Sequence, residues 1–340
     1  MDHTRDREET MSVVTTAADR ARRALSGRIA ERHRLGSEIA DLDPAESQQI
    51  AQLLGTREFP WGITQALSFA LFRTYAVPSI GDLLYRTGQF TEQTQKRYDD
   101  TVLLLDAPVE HGFESPLGRA GVRRINQMHA MYDISNDDML YVLATFVVCP
   151  VRWVNSYEWR RLTDHEVRGL TDYYRRLGKH MAIKGIPETY AEFERLMDDY
   201  EDQHFAFSED SRAVADATLD LLGTFMPYRL LPRAVVRRMS FALMDDRLLW
   251  AFHYPRPTAV ERVLVRGGLR LRGLAIRLFA PPRTEPLFGR QTPQVRCYPN
   301  GYEISELGTF APGCPVLHNG TRRTSTPGVD PTWTEVRAAR

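Results

Sequence analysis

The residue best placed to do chemistry in this chain is His129. It lies in the run Arg123-Arg124-Ile125-Asn126-Gln127-Met128-His129-Ala130-Met131-Tyr132. Val122 and Ile125 precede it by seven and four residues and Tyr132 follows by three, so on a 3.6-residue helix all four share one apolar face. An imidazole on such a face must hydrogen-bond a neighbour or bind something, because a buried polar group without a partner is costly. As a ligand it suits a haem iron. One neutral imidazole supplies the proximal ligand, the surroundings are apolar, and Arg123 and Arg124, one to two turns upstream, are cations for the propionates. The bland alternative is a hydrogen-bonded core histidine beside two arginines on a solvated face. The residues of this run leave both open.

Other chemistries have less support. A di-iron carboxylate bundle needs two Glu-x-x-His motifs on separate helices, and the chain offers Glu201-Asp202-Gln203-His204 alone. No His-Glu-x-x-His, Gly-x-Ser-x-Gly, Gly-x-Gly-x-x-Gly or Walker loop occurs, which removes the usual zinc-protease, hydrolase and nucleotide-binding signatures. Cys149, Cys297 and Cys314 show no Cys-x-x-Cys spacing, so a thiolate zinc site and a disulfide framework are both disfavoured. His111, His165, His180, His253 and His318 are scattered among polar or turn residues, as surface or cap histidines are.

These groups need elements to hold them. The 340 residues, 43% hydrophobic, suffice for one large domain or two ordinary ones. Lys+Arg and Asp+Glu are both 44, so no charge bias points to nucleic acid, and the basic run Arg266–Arg272 reads as a solvated helix face. The charged N-terminus lacks a signal-peptide pattern, and the cysteine usage fits a reducing compartment; a cytoplasmic location is expected. The longest apolar run, Met139–Val151, is shorter than the ~20 residues that cross a bilayer. The reading is a soluble chain without a transmembrane segment, with peripheral membrane contact through stretches such as Ile63–Phe72 as a lesser option.

Helix signals dominate. Ser115-Pro116 supplies an N-cap and a proline at N1 for the His129 helix. Asn136-Asp137-Asp138 gives a cap and first-turn acids for a buried helix over Met139–Val151, with Pro150 at its far end. Thr163-Asp164-His165-Glu166 is a capping box opening a helix toward Gly178. Further helices are expected over 17–54, 191–200, 213–225, 235–250 and 260–278, the last kinked at Gly267-Gly268. Val295–Tyr298 is the best strand candidate. The core should begin near Trp61, the first dozen residues should be disordered, and 319–340 should form a loose tail. The class is all-α: a single helical domain of about ten helices spanning 56–312, an N-terminal extension over 1–55 and a C-terminal tail over 313–340.

Several blocks then carry a family likeness, in order: Tyr75-Ala-Val-Pro-Ser-Ile80, Gly88-Gln-Phe90, Lys96-Arg-Tyr-Asp-Asp-Thr101, Arg124-Ile-Asn-Gln-Met-His129, Asn136-Asp-Asp-Met-Leu-Tyr-Val-Leu143, Trp159-Arg160 before Leu162-Thr163, Met181 with Ile186-Pro187, and Tyr298-Pro-Asn-Gly-Tyr302 with Leu307-Gly308. Over roughly residues 60–310 the chain resembles the MpaB-type oxygenase family, which shares its catalytic domain with latex clearing protein, a rubber oxygenase. The resemblance implies an all-helical fold around one haem b, with His129 as the proximal iron ligand and dioxygen as co-substrate. Rubber-cleaving members carry Arg-x-x-Lys-Thr on the distal side, which falls on Arg97, Asp100 and Thr101. Asp100 replaces the lysine that can take the sixth iron position, and stands as the candidate base for an allylic proton. The family arginines three before and four after the histidine are Asn126 and Asp133 here, and Leu143 replaces a second histidine common in the next helix. These departures argue against polyisoprene. The implied activity is oxidative cleavage of a C=C bond in a small hydrophobic, terpenoid or polyketide-like molecule. The alternative is a helical protein that binds an apolar ligand without the chemistry.

Overall fold

The structure is a computed structural model that describes residues 26–310 apart from 28. The stretches read as disordered N-terminus and loose tail, together with Cys314, lie outside the described residues. Helices follow one another from end to end: α1 (29–40), α2 (Ser47–Leu53), a π turn at Leu54–Glu58, α3 (Pro60–Tyr75), α4 (Pro78–Arg86), α5 (Gln89–Glu92), α6 (Thr94–His111), α7 (Pro116–His129), α8 (Asn136–Tyr157), α9 (Asp164–His180), α10 (Tyr190–His204), α11 (Glu209–Leu222), α12 (Arg233–Leu243), α13 (Asp246–Ala251) and α14 (Ala259–Phe279). The fold is all-α in one domain, and no strand occurs among the described residues.

Local chemistry sets the ends of these helices. Ser115 accepts a hydrogen bond from the Gly118 N–H with Pro116 at N1 of α7, and Thr163 with Glu166 forms the complete capping box of α9. Ser135, not Asn136, caps α8, its hydroxyl accepting from the Asp138 N–H. That helix runs on through Pro150 to Tyr157. The proline costs about 3 kcal/mol in an isolated helix, and burial of Val151, Trp153 and Val154 beyond it outweighs that penalty. The helix expected over 235–250 is two, because Asp245 accepts from the Leu248 N–H and restarts the chain as α13. Val295–Tyr298 is not a strand: the buried Asp99 carboxylate of α6 accepts from the Arg296 and Cys297 N–H groups, doing what a neighbouring strand would do.

Helix α8 is the axis of the molecule. It packs against α3 on one side and α9 and α10 on others, while α6 pairs with α7 and α2 with α9. Length and composition would let α8 cross a membrane, but over half of its apolar window is buried inside the domain. The core begins earlier than Trp61, since Leu35, Ile39, Ile50 and Leu54 are buried with Phe59, Trp159 and Tyr173. At the centre, Glu201 of α10 is fully buried. Its carboxylate accepts from Arg73 of α3, with Nε at 2.6 Å, and from the Tyr141 hydroxyl of α8 at 3.2 Å. Arg73 also reaches Asp245 at 2.5 Å, so one cluster fixes three helices and the α12–α13 junction.

Candidate active site

Helices α3, α4, α6, α7, α8 and α9 surround a cavity of about 230 Å³. Leu67, Leu71, Ile80, Leu83, Leu84, Val142 and Phe146 make much of its wall apolar, and His129 opens onto it beside Ile125, Met128 and Tyr132. Val122, the fourth residue expected on this face, instead lies in the core cluster behind α7. His129 is the last residue of α7 rather than a mid-helix residue, and the Tyr132 N–H closes the following turn onto its carbonyl at 3.1 Å. A helix C-terminus favours a cationic imidazole. Burial, and then the nearby Arg97 guanidinium, outweigh that and push the imidazole down to about 4, so the ring is neutral near pH 7. Its Nδ1 atom is buried with no hydrogen-bond partner. The hydrogen bond that the reading as a core histidine calls for is not made at this atom.

Two of the residues expected opposite His129 do face the cavity. Arg97 and Thr101 of α6 line it together with Leu104, at i, i+4 and i+7. Arg97 Nη1 donates to Thr101 Oγ1 at 3.0 Å, and Thr101 Oγ1 donates to the Arg97 carbonyl at 2.7 Å. The guanidinium lies over the Phe90 ring, 5.0 Å from its centroid, and burial lowers its pKa against the raising effect of Asp100. It stays charged, as arginine does at any ordinary pH.

Asp100 is not on this wall. Each helical residue turns by about 100°, so the position before Thr101 faces away, and the buried Asp100 carboxylate accepts from Lys96 Nζ at 2.6 Å and from the Tyr298 hydroxyl. The same geometry corrects the two arginines assigned to propionates. Arg123 is exposed on a shallow groove with Asn126 and His180. Arg124 is buried on another side of α7, donating Nε to the Leu307 carbonyl at 2.7 Å and Nη2 to the Thr309 carbonyl, and lying over the Phe310 ring. Arg97 is the arginine that lines the cavity. Arg124 acts at one remove, by pinning the segment that brings Thr309 to the wall. Gly308 makes that approach possible: its φ is +82°, and a Cβ there would meet Met128 Sδ at 2.1 Å.

The family substitutions fall in different places. Leu143 is buried on the cavity wall, crowding Gly178 so closely that a Cβ there would lie 2.5 Å from Leu143 Cδ2. Asp133 is exposed yet borders the cavity, whereas Asn126 points away and donates to the His180 carbonyl at 2.9 Å. Sequence reasoning missed Asp138 as a wall residue. Its carboxylate accepts from Ser79 and Tyr200, each at 2.9 Å, and the only signal was its place three residues after Ser135. Among the described residues, no group of three or more His, Cys, Asp or Glu side chains could hold a metal ion.

Comparison with known proteins bears on this cavity directly. The family model described as "ER-bound oxygenase mpaB/B'/Rubber oxygenase, catalytic domain" matches residues 51–275. The chain belongs to this oxygenase family. The matched segment contains every cavity-lining residue except Thr309. The chain is 31% identical over 267 residues to ER-bound oxygenase mpaB' of Penicillium brevicompactum, covering 73% of this chain and 63% of that protein. It is 32% identical over 234 residues to ER-bound oxygenase mpaB of Penicillium roqueforti (strain FM164), covering 64% of this chain and 78% of that protein. The chain therefore spans just under two thirds of the first relative. Outside the match, residues 276–310 supply the straps that tie onto α6 and α7.

Proposed function

We propose that this protein is a haem b-dependent oxygenase that cleaves a C=C bond in a small hydrophobic molecule with dioxygen. The observation that carries the reading is the neutral imidazole of His129, with a buried nitrogen that no protein group satisfies, on an apolar cavity in an oxygenase family. A neutral imidazole has the lone pair that an iron ligand needs. With no cluster of protein ligands among the described residues, an iron here would take its remaining ligands from a prosthetic group. Haem, when bound, supplies the binding and activation of dioxygen.

The chain's own residues do the rest. His129 would hold the iron. Arg97 is the cation available to an anionic or oxygen-bearing group inside the cavity, and its bond to Thr101 fixes the direction of the guanidinium. Thr101 offers a hydroxyl whose proton is spent on the Arg97 carbonyl, leaving its oxygen to accept. The leucine, isoleucine and phenylalanine walls bind an alkene and exclude water, which strengthens the Arg97 field. Both atoms of one dioxygen end as carbonyl oxygens on the two halves of the cleaved double bond, so the overall reaction needs no external reductant. Asp100, tied to Lys96 and Tyr298 on another side of α6, is unsuited to take a proton from substrate. We also propose a cytoplasmic location, supported by three cysteines with no Cys-x-x-Cys spacing or disulfide framework in the sequence.

The test is optical and chemical. Purified protein supplied with haem should show a Soret band that His129→Ala loses, and incubation with terpenoid alkenes under ¹⁸O₂ should label both carbonyl products. A protein that stays colourless after haem addition, with an apolar ligand in the cavity, overturns the reading in favour of a non-catalytic binding protein.

A further inference from the structure

Helix α14 turns an apolar face to solvent. Val260, Val263, Leu264, Leu271, Leu274 and Phe279 are all between 49% and 70% exposed. Their spacing of three and four residues places Val260 to Leu274 on one stripe, centred on Gly267-Gly268. A stripe of this size on one surface helix marks a contact site. A second exposed apolar segment lies nearby, with Met226, Leu230, Leu231 and Val235. Tyr228 of that segment donates to Gln65, one turn along α3 from Trp61, and the Arg272 guanidinium of α14 stacks 3.7 Å from the Trp61 ring.

Charge decides what fits there. Between Glu261 and Glu285 the chain has six arginines and no acid, and between Asp220 and Asp245 it again has no acid. Several of these cations are used internally: Arg262 with Asp246, Arg272 with Glu158, Arg238 with Glu261. Arg229, Arg233, Arg270 and Arg277 are exposed. A second copy of this chain would set arginines against arginines. Residues 311–340 carry four arginines against Asp330 and Glu335, the same sign as the face. An apolar stripe rimmed by arginine, about 30 Å long, has the form of a helix lying in a lipid interface.

We infer that α14, with the 226–235 segment, docks the protein onto an anionic lipid bilayer, the stripe entering the acyl boundary and Arg270 and Arg277 pairing with headgroups. This face is separate from the His129 cavity, so it stands whether or not that site holds haem. The test is flotation of the full chain with phosphatidylcholine vesicles, with and without phosphatidylglycerol, beside light scattering for oligomeric state. The wild type should float with anionic vesicles and detach as salt rises. Leu264→Glu/Leu271→Glu should abolish binding, and Arg270→Glu/Arg277→Glu should weaken it at least about tenfold. Leu264→Gln/Leu271→Gln provides a milder check, and unchanged circular dichroism excludes misfolding. The inference is overturned if the wild type binds neither vesicle or both equally, if binding survives the α14 substitutions, or if those substitutions convert a dimer to a monomer that never bound lipid.

Discussion

Two buried polar sites border α8, and they differ in one respect. At the Glu201 cluster every charge is answered from within the chain: Arg73 and Tyr141 donate to the Glu201 carboxylate, and Asp245 takes the other side of the Arg73 guanidinium. At the cavity, Arg97 uses Thr101, but His129 keeps a buried nitrogen with no partner. Both sites cost desolvation. The first recovers it in the free protein and so holds helices together. The second recovers it when something enters, which is what a binding site must do. The satisfied cluster is architecture, whereas the unsatisfied imidazole belongs to a cavity wall, although both sites are rich in the same residue types.

Glu201→Ala should break that contrast most strongly. It leaves Arg73 with Asp245 alone and removes the acceptor of the buried Tyr141 hydroxyl, and loss of one partner of a buried pair costs about 3–5 kcal/mol; chemical denaturation measures it. His129 should act through pH instead. Its folded pKa of about 4 lies below the ordinary 6.5, so between these values the unfolded chain binds more protons. The ligand-free protein should therefore lose stability as pH falls from about 6.5 to about 4, by up to about 3 kcal/mol. His129→Leu should flatten that part of the profile; an unchanged slope would mean the ring is not buried neutral. Asp100→Asn should cost about 1–2 kcal/mol through the bonds to Lys96 and Tyr298, with haem uptake unaltered. A loss of haem uptake would return Asp100 to the site. The smallest effect concerns Arg97→Met, which removes the second cause of the imidazole's low pKa and should raise it modestly, read by NMR titration of the ring.

Much of the frame was legible because it rests on local chemistry. Caps at Ser115 and Thr163 act over three residues, and the family blocks keep their order along the chain. Arg123 and Arg124 are assigned by nearness in sequence and Asp100 by its place in the family pattern, where the 100° step per residue already separates them from His129 and Thr101. Lys96 stands four residues before Asp100, a legible helix pair, but the distant partners could not be read. Arg124 meets carbonyls about 180 residues away, and Asp100 meets a tyrosine at similar separation.

The sequence by itself determined the all-helical class, the oxygenase family, and a histidine at an apolar helix surface beside an Arg97–Thr101 pair on one face of the preceding helix. Tertiary structure alone decided that Pro150 would not end α8, that Asp99 would replace a strand partner for residues 296–297, and that His129 would be left unsatisfied. The reason is range. Capping and periodicity are settled within a turn or two, whereas burial and hydrogen-bond satisfaction depend on groups brought together from far along the chain.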